Sequence, residues 1–266
     1  MRFQNLHNHS NYSDGKCTVR ENVEAAILKN MHSIGFSDHS YTECDPSYCM
    51  KNESYEAYAK EITAIKAEYA DRIPVYLGLE KDYYSDMPSI PLDYIIASVH
   101  YINAKGKCYP IDHSKKQQEE CIEEVFGGDV LAMAKCYFDM VEEQVKAIKP
   151  TFIGHFDVIA KFGVMPEDNE QYIKIASKCL KECLSVCPYV EVNTGGISRG
   201  YRTFPYPIKP LLKVILEEGG EVLLSADSHH TDNLDFFFNE SVEILKEIGF
   251  DHINRFNGKD FDKIQI

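Results

Sequence analysis

The stretch from residue 73 to 80, "IPVYLGLE", is apolar at nearly every position and ends on a carboxylate, Glu80. A strand with one wet face alternates apolar and polar residues, whereas a strand of a parallel sheet covered on both faces reads as a continuous apolar run. This run is of the second kind. The same signature recurs in "RFQNLH" (2–7), "HSIGFSDH" (32–39), "LDYIIASVH" (92–100), "PTFIGH" (150–155), "PYVEVN" (188–193) and "GEVLLSAD" (220–227), with a weaker "FDHINRF" (250–256) near the end.

Amphipathic helical patterns separate most of these runs. In "TVRENVEAAILKNM" (18–31), Thr18 precedes Glu21 by three residues, the spacing of a capping box, and Val23, Ala26, Ile27 and Met31 fall on one stripe. Similar patterns cover residues 53–72, 129–149, 168–186, 208–219 and 233–249. The order strand, loop, helix repeats seven or eight times, which predicts an α/β chain with a (β/α) barrel, a doubly wound open sheet being the alternative topology. No linker or low-complexity tract divides the chain, so a single domain is expected over residues 1–266. The segment from about Tyr101 to Asp129 reads as an irregular insertion.

Acidic residues outnumber basic ones 42 to 28, for a net charge of -14. That balance opposes a broad nucleic-acid footprint or attraction to anionic lipid, while leaving room for a small anion at a local cation cluster. No apolar run has signal-peptide or membrane-spanning length, and the cytoplasm is the expected location. The nine cysteines are scattered without a CxxC pair and are expected to be reduced thiols. Cys179, Cys183 and Cys187, four apart, should pack as small hydrophobes on the buried side of a helix.

What terminates each strand carries the chemistry. In order, the ends read His7 with His9, then His39, Glu80, His100, His155, Asn193, and Asp227 followed by His229. In a parallel barrel these ends share one face, where barrel enzymes build their sites. Six of the ten histidines stand there beside Glu80, Asp227 and Asp14. Imidazole and carboxylate are ligands of zinc, manganese and iron, and nine such groups exceed what one ion can use. Two or three divalent ions sharing Glu80 and Asp227 is the natural count. His32, His113 and His252 lack a ligand's placement, and His230 reads as an outer or substrate contact.

The ordered motifs "HNHS…SDG", "FSDHS", "GLE", "SVH", "GHFD" and "SADSHH" resemble the successive metal motifs of the polymerase and histidinol phosphatase (PHP) family over almost the whole chain. The resemblance implies a distorted (β/α)7 TIM-like barrel and three metal ions, Zn, Mn or Fe. Carried over, His7, His9, Glu80 and Asp227 hold one ion, Glu80, His100 and His155 the second, and Asp14, His39 and His229 the third. "GHFDVIAKFG", "VEVNTGGISRG" and "FFNESVEILKEIGF" are most similar to the histidinol-phosphate phosphatase branch. Two departures stand out: Asp14 occupies a position where many members have His, and Ala160 with Lys161 follow "GHFD" where that branch carries basic residues, often Arg.

The function implied is metal-dependent hydrolysis of a small phosphomonoester, L-histidinol phosphate in histidine biosynthesis, by a metal-bridging hydroxide held by Glu80 and Asp227. Arg199 and Arg202 in "TGGISRGYR", Lys161 and His230 are the candidate substrate contacts, and Glu43 and Asp45 candidate counter-charges for a substrate amine. Hydrolysis of another small phosphate ester or a nucleotide is the alternative activity. A non-catalytic metal-binding barrel is the alternative class, disfavoured because a structural site closes with about four ligands.

Overall fold

A computed structural model describes residues 1–266. Its strands are β1 (Gln4–Asn5), β2 (Ser33–Phe36), β3 (Val75–Asp82), β4 (Tyr94–Ser98), β5 (Tyr101–Ala104), β6 (Lys107–Pro110), β7 (Phe152–Ile153), β8 (Tyr189–Asn193), β9 (Glu221–Ser225), β10 (His252–Phe256) and β11 (Phe261–Gln265). Seven of them form one parallel sheet in the order β1-β2-β3-β4-β7-β8-β9. Its two edges meet just past β1 and β9, where the His9 amide donates to the Ser228 carbonyl (2.8 Å) and the Ser228 amide to that of His7 (3.1 Å). The sheet is therefore a distorted (β/α)7 barrel, and the open-sheet alternative falls.

The eighth run, 250–256, does form a strand, but outside the barrel: β10 pairs antiparallel with β11. The Gln4 side chain donates to the Phe256 carbonyl and accepts from its amide, both at 2.8 Å, which seats this hairpin at the N-terminal end of β1. The stretch expected to be irregular is also ordered. It folds into the antiparallel β5–β6 hairpin and helix α3 (Lys115–Phe126), whose N-cap Ser114 accepts from the Gln117 amide. Alternation across a short hairpin and a polar helix carries too little apolar signal to be read in advance.

The remaining helices are α1 (Val19–Leu28), α2 (Tyr55–Glu68), α4 (Val130–Ile148), α5 (Glu170–Leu184), the single turn α6 (Gly195–Ser198), α7 (Lys209–Glu217) and α8 (Phe238–Ile248). The capping box is made: the Thr18 hydroxyl accepts from the Glu21 amide and the Glu21 carboxylate from the Thr18 amide at 2.8 Å. Cys179 and Cys183 are buried on the inner side of α5 as expected, and Cys187, also buried, lies past the end of that helix rather than on it.

One aromatic fills the barrel beneath the site. Tyr94 lies over β2 and β3 and donates its hydroxyl to the Leu6 carbonyl. A Cβ on Gly78 would fall 2.2 Å from the Tyr94 ring, and one on Gly35 2.4 Å from its hydroxyl, so both strands need glycine where the ring passes. With Leu6, Ile96, Phe152, Leu223 and Phe256 it makes an apolar floor, and the polar residues above it are held over a surface water cannot enter.

The thiols depart from expectation at one place. Cys44, in the loop after β2, is joined to Cys108 in β6 across 64 residues of sequence, and the other seven cysteines are free. Nothing in the spacing marks this pair, because only the fold brings their Cα atoms to 5.4 Å.

Candidate metal centre

Every predicted strand-end ligand converges on one face, and Glu80 is their centre. It is completely buried. Its Oε1 lies 2.9 Å from His155 Nε2 and 3.3 Å from His100 Nε2, while Oε2 lies 2.7 Å from His39 Nδ1 and 3.3 Å from His7 Nε2. Burial alone would raise its pKa, but the facing His39, His7 and His100 outweigh it and hold the carboxyl well below its ordinary value.

A second focus forms beside it. Asp227 Oδ1 is 3.1 Å from His9 Nε2 and 3.8 Å from His7 Nε2. Asp227 has φ 48°, a left-handed conformation uncommon in residues other than glycine and found at functional sites. Asp14 Oδ2 is 3.1 Å from His229 Nε2, and its Oδ1 lies 3.7 Å from His39 Nε2 and 3.9 Å from His9 Nδ1. Burial, with His39 and His229 adding, lowers the His9 pKa to about 3, so this imidazole is neutral, the form that ligates a metal.

These groups fit divalent cations by a test internal to the chain. His7 Nε2, His9 Nδ1, Asp14 Oδ1, His39 Nδ1 and Glu80 Oε2 are all buried without a well-formed hydrogen bond, although such atoms nearly always have partners. Four sets of ligand atoms lie within 4.8 Å of one another: His9, Asp14, His39 and His229; His7, Glu80 and His155; His7, His9 and Asp227; and His39, Glu80 and His100. The overlap of these sets through His7, His9, His39 and Glu80 is what a cluster of adjacent ions requires. It also brings His9 to the Asp14 group, a ring the family resemblance assigned to the ion of His7, Glu80 and Asp227.

Three buried acids behind the ligands were missed from sequence. Glu191, within β8, accepts from His7 Nδ1 (2.9 Å), the His155 amide (2.5 Å), Asn193 Nδ2 (2.8 Å) and the Ser225 hydroxyl (2.6 Å). Asp82 takes the amide and Nδ1 of His100, both at 3.1 Å. Asp38 takes the amides and hydroxyls of Ser10 and Ser13, fixing the turn that carries Asp14. Carboxylates so placed orient a ligating ring and select its tautomer. The signal available for Glu191 was a charged residue inside "YVEVN", an otherwise apolar central strand.

Asp14, His39, His100, His155, Asp227 and His229 floor a cavity of about 460 Å³ lined also by Arg199, Lys161, Asp45 and Asp112. The Arg199 guanidinium donates to Asp227 Oδ2 at 2.8 Å and approaches His229 Nδ1 at 3.1 Å, and its Nε has no partner. Lys161 Nζ donates to the Asp112 carbonyl at 2.6 Å. Two of the proposed substrate contacts lie elsewhere. Arg202 is committed to both oxygens of Glu167 (2.6 and 3.0 Å) and to the Ala160 carbonyl, because its side chain turns under the loop and is nearly buried. His230 is half exposed and paired with Asp232 at the start of a short helical turn, as its alternation with His229 along an extended segment dictates. Glu43 is exposed and outside the cavity, whereas His113, set aside from sequence, lines it.

A family model for the PHP domain matches residues 5–195. A protein of Schizosaccharomyces pombe named "Probable histidinol-phosphatase" is 27% identical over 91% of this chain and 86% of its own length. The histidinol-phosphatase of Bacillus subtilis is 24% identical over 85% of this chain and 92% of its own. Among solved structures, histidinol phosphate phosphatase from Lactococcus lactis, crystallised with zinc, L-histidinol and phosphate, superimposes with a TM-score of 0.74 at 22% identity, covering 98% of this chain and 99% of that one. The barrel, the ordered ligand motifs and the family match lead to one conclusion: this chain belongs to the PHP domain family.

Proposed function

We propose that this protein is a metal-dependent phosphomonoesterase that hydrolyses L-histidinol phosphate to L-histidinol and phosphate, the activity in the names of its relatives of near full length. The observation that carries the reading is Glu80: one buried carboxylate with four imidazoles around its two oxygens, three of which (His39, His100 and His155) line a cavity sized for a small ester.

In the assignment we favour, His7, His9, Glu80 and Asp227 would hold one ion, Glu80, His100 and His155 a second, and Asp14, His39 and His229 the third, with His9 close enough to contribute there. Divalent ions, when bound, supply Lewis acidity that makes water a nucleophile near neutral pH and offsets phosphate charge. Each carboxylate would offset part of the repulsion among such cations, and Glu80, whose two oxygens face different pairs of imidazoles, would be shared between neighbouring ligand sets. Arg199 brings a planar cation to the same wall, suited to the phosphate oxygens of substrate and product. The apolar floor under the ligands keeps bulk water out from below, so these charges act at low effective dielectric. Asp14 in place of a histidine keeps a ligand at the third position and makes it harder, shifting preference toward manganese or iron relative to zinc.

Two measurements test the reading. After loading with manganese or zinc, kcat/KM for L-histidinol phosphate should exceed that for glycerol phosphate, a nucleoside monophosphate and p-nitrophenyl phosphate by at least about tenfold, roughly 1.4 kcal/mol of discrimination. A flat panel would leave a phosphatase of another specificity. Elemental analysis of the loaded protein should give about three ions per chain, and saturation at one would exclude a cluster. No helix is long and apolar enough to cross a membrane, and we place the enzyme in the cytoplasm.

A further inference from the structure

Arg202, expected as a substrate contact, stands instead between the two loops that carry Lys161 and Arg199 into the cavity. Lys161 follows β7 and the helical turn Val158–Ala160, and Arg199 follows β8 and α6, so these two lining cations come from different strands. A phosphate group that meets both needs them at one fixed separation, and like charges in one cavity push apart the backbones that carry them. We propose that Arg202 is a positioning residue that fixes Lys161 and Arg199 relative to each other and so sets the affinity of the site for the phosphate group. This deepens, and rests on, the phosphatase reading above.

The contacts of Arg202 run to both loops. Its Nη1 donates at 2.8 Å to the Ala160 carbonyl, the peptide group that leads into Lys161. The preceding carbonyl, that of Ile159, accepts from the buried Gln118 side chain of α3 at 2.5 Å, so the turn beneath Lys161 is held from two sides. Toward the other loop, the Arg202 amide donates to the Gly196 carbonyl at 3.1 Å. The stem of Arg202 also packs on α6: a Cβ on Gly196 would fall 2.9 Å from Arg202 Cγ and 2.8 Å from the Tyr206 hydroxyl. Arg199 curls back over the same turn, its Nη2 lying 2.7 Å from where a Cβ on Gly195 would stand. Tyr206, whose ring centroid is 5.0 Å from the Arg202 guanidinium, exchanges two backbone bonds with Asn193 (2.8 and 3.0 Å). The brace is thereby anchored to the end of β8.

Glu167 sets the direction of the fork, accepting from Nη2 at 2.6 Å and from Nη1 at 3.0 Å. With the Arg202 side chain only 8% exposed, this ion pair gains little over apolar packing of the same volume. What it specifies is the register of two loops. Arginine suits that task, because one planar group serves Glu167 and the Ala160 carbonyl together, where a lysine ammonium is a single point charge.

The test is titration calorimetry of inorganic phosphate with the metal-loaded protein, a readout that does not depend on which ester is hydrolysed. In Arg202→Met, matched to wild type in melting temperature and metal content, phosphate affinity should fall about tenfold, and KM for L-histidinol phosphate should rise by a similar factor with kcat within about threefold. Arg202→Lys should recover part of the loss. In a Lys161→Met/Arg199→Met background, adding Arg202→Met should cost no more than about twofold, because the groups it acts through are gone. Unchanged phosphate affinity in Arg202→Met, or an equal loss in both backgrounds, overturns the proposal, as does a wild type that binds no phosphate. If Arg202→Met does not fold, Glu167→Gln, which frees one arm of the fork, should weaken phosphate binding at least about threefold in the native background and not in the doubly substituted one; any other result overturns the proposal. A wild type that shows the phosphate pattern but hydrolyses no ester overturns the phosphatase reading and supports the brace.

Discussion

Glu80→Gln should lower kcat/KM by at least about 10³-fold, some 4 kcal/mol of transition-state stabilisation. The side chain keeps its shape, so the loss reports chemistry rather than packing. Glu80 is completely buried, and each oxygen is directed at two imidazoles. A carboxylate can bridge two cations with its two oxygens. The amide offers one oxygen and an NH2 group that repels a cation, so one ion of any bridged pair loses its ligand. Steady-state kinetics with elemental analysis of the same preparation checks this, the expected outcome being at least one ion fewer per chain. Activity within about tenfold of wild type at full metal content would remove Glu80 from the centre of the mechanism.

Glu191→Ala should be the most destabilising single change at the site, costing about 3–5 kcal/mol. Four donors end on this carboxylate: the His7 ring, the His155 amide, the Asn193 amide group and the Ser225 hydroxyl. Truncation leaves all four buried without a partner in a place closed to solvent. For a chain of this size the melting temperature should fall by roughly 6–15 °C. Metal affinity should fall about 10–100-fold as well, because His7 loses the acceptor that sets its tautomer. Thermal melts with and without metal, beside a metal titration, separate the two effects. Glu191→Gln, which keeps an acceptor oxygen, should fall between. A melting temperature unchanged in Glu191→Ala would mean the network does not hold the strands together.

The two carboxylates show why part of the site was legible in the chain and part was not. Glu80 closes a strand-like run, and a polar group there can only serve the face where such runs end, so its role follows from periodicity. His7, His9, His39, His100, His155 and Asp227 are read the same way. Glu191 sits two residues before the end of its strand, where the same logic expects a packed apolar side chain, and its partners come from three other parts of the chain. Arg202 and His230 failed for a related reason. Proximity in sequence to Arg199 and His229 does not set side-chain direction, which is decided by Glu167 and by the extended backbone after Asp227. The fold was readable in its repeating unit and uncertain in its closure, because the seven-strand barrel is completed by backbone bonds between residues about two hundred and twenty positions apart.

The Cys44–Cys108 bridge has a consequence for how tightly the cavity grips what enters it. It ties the loop carrying Asp45 and Tyr48 to the hairpin that leads into Asp112. Closing a loop of this length removes about 4 kcal/mol of chain entropy from the unfolded state in the simplest treatment. The same covalent tie makes the two loops one body in the folded state. Once it is cut, each moves on its own, and a ligand touching both must order both as it binds. A reducing thiol pool, as in the cytoplasm, favours the cut form. Reduction of the bridge should therefore weaken the binding of any ligand that touches both loops.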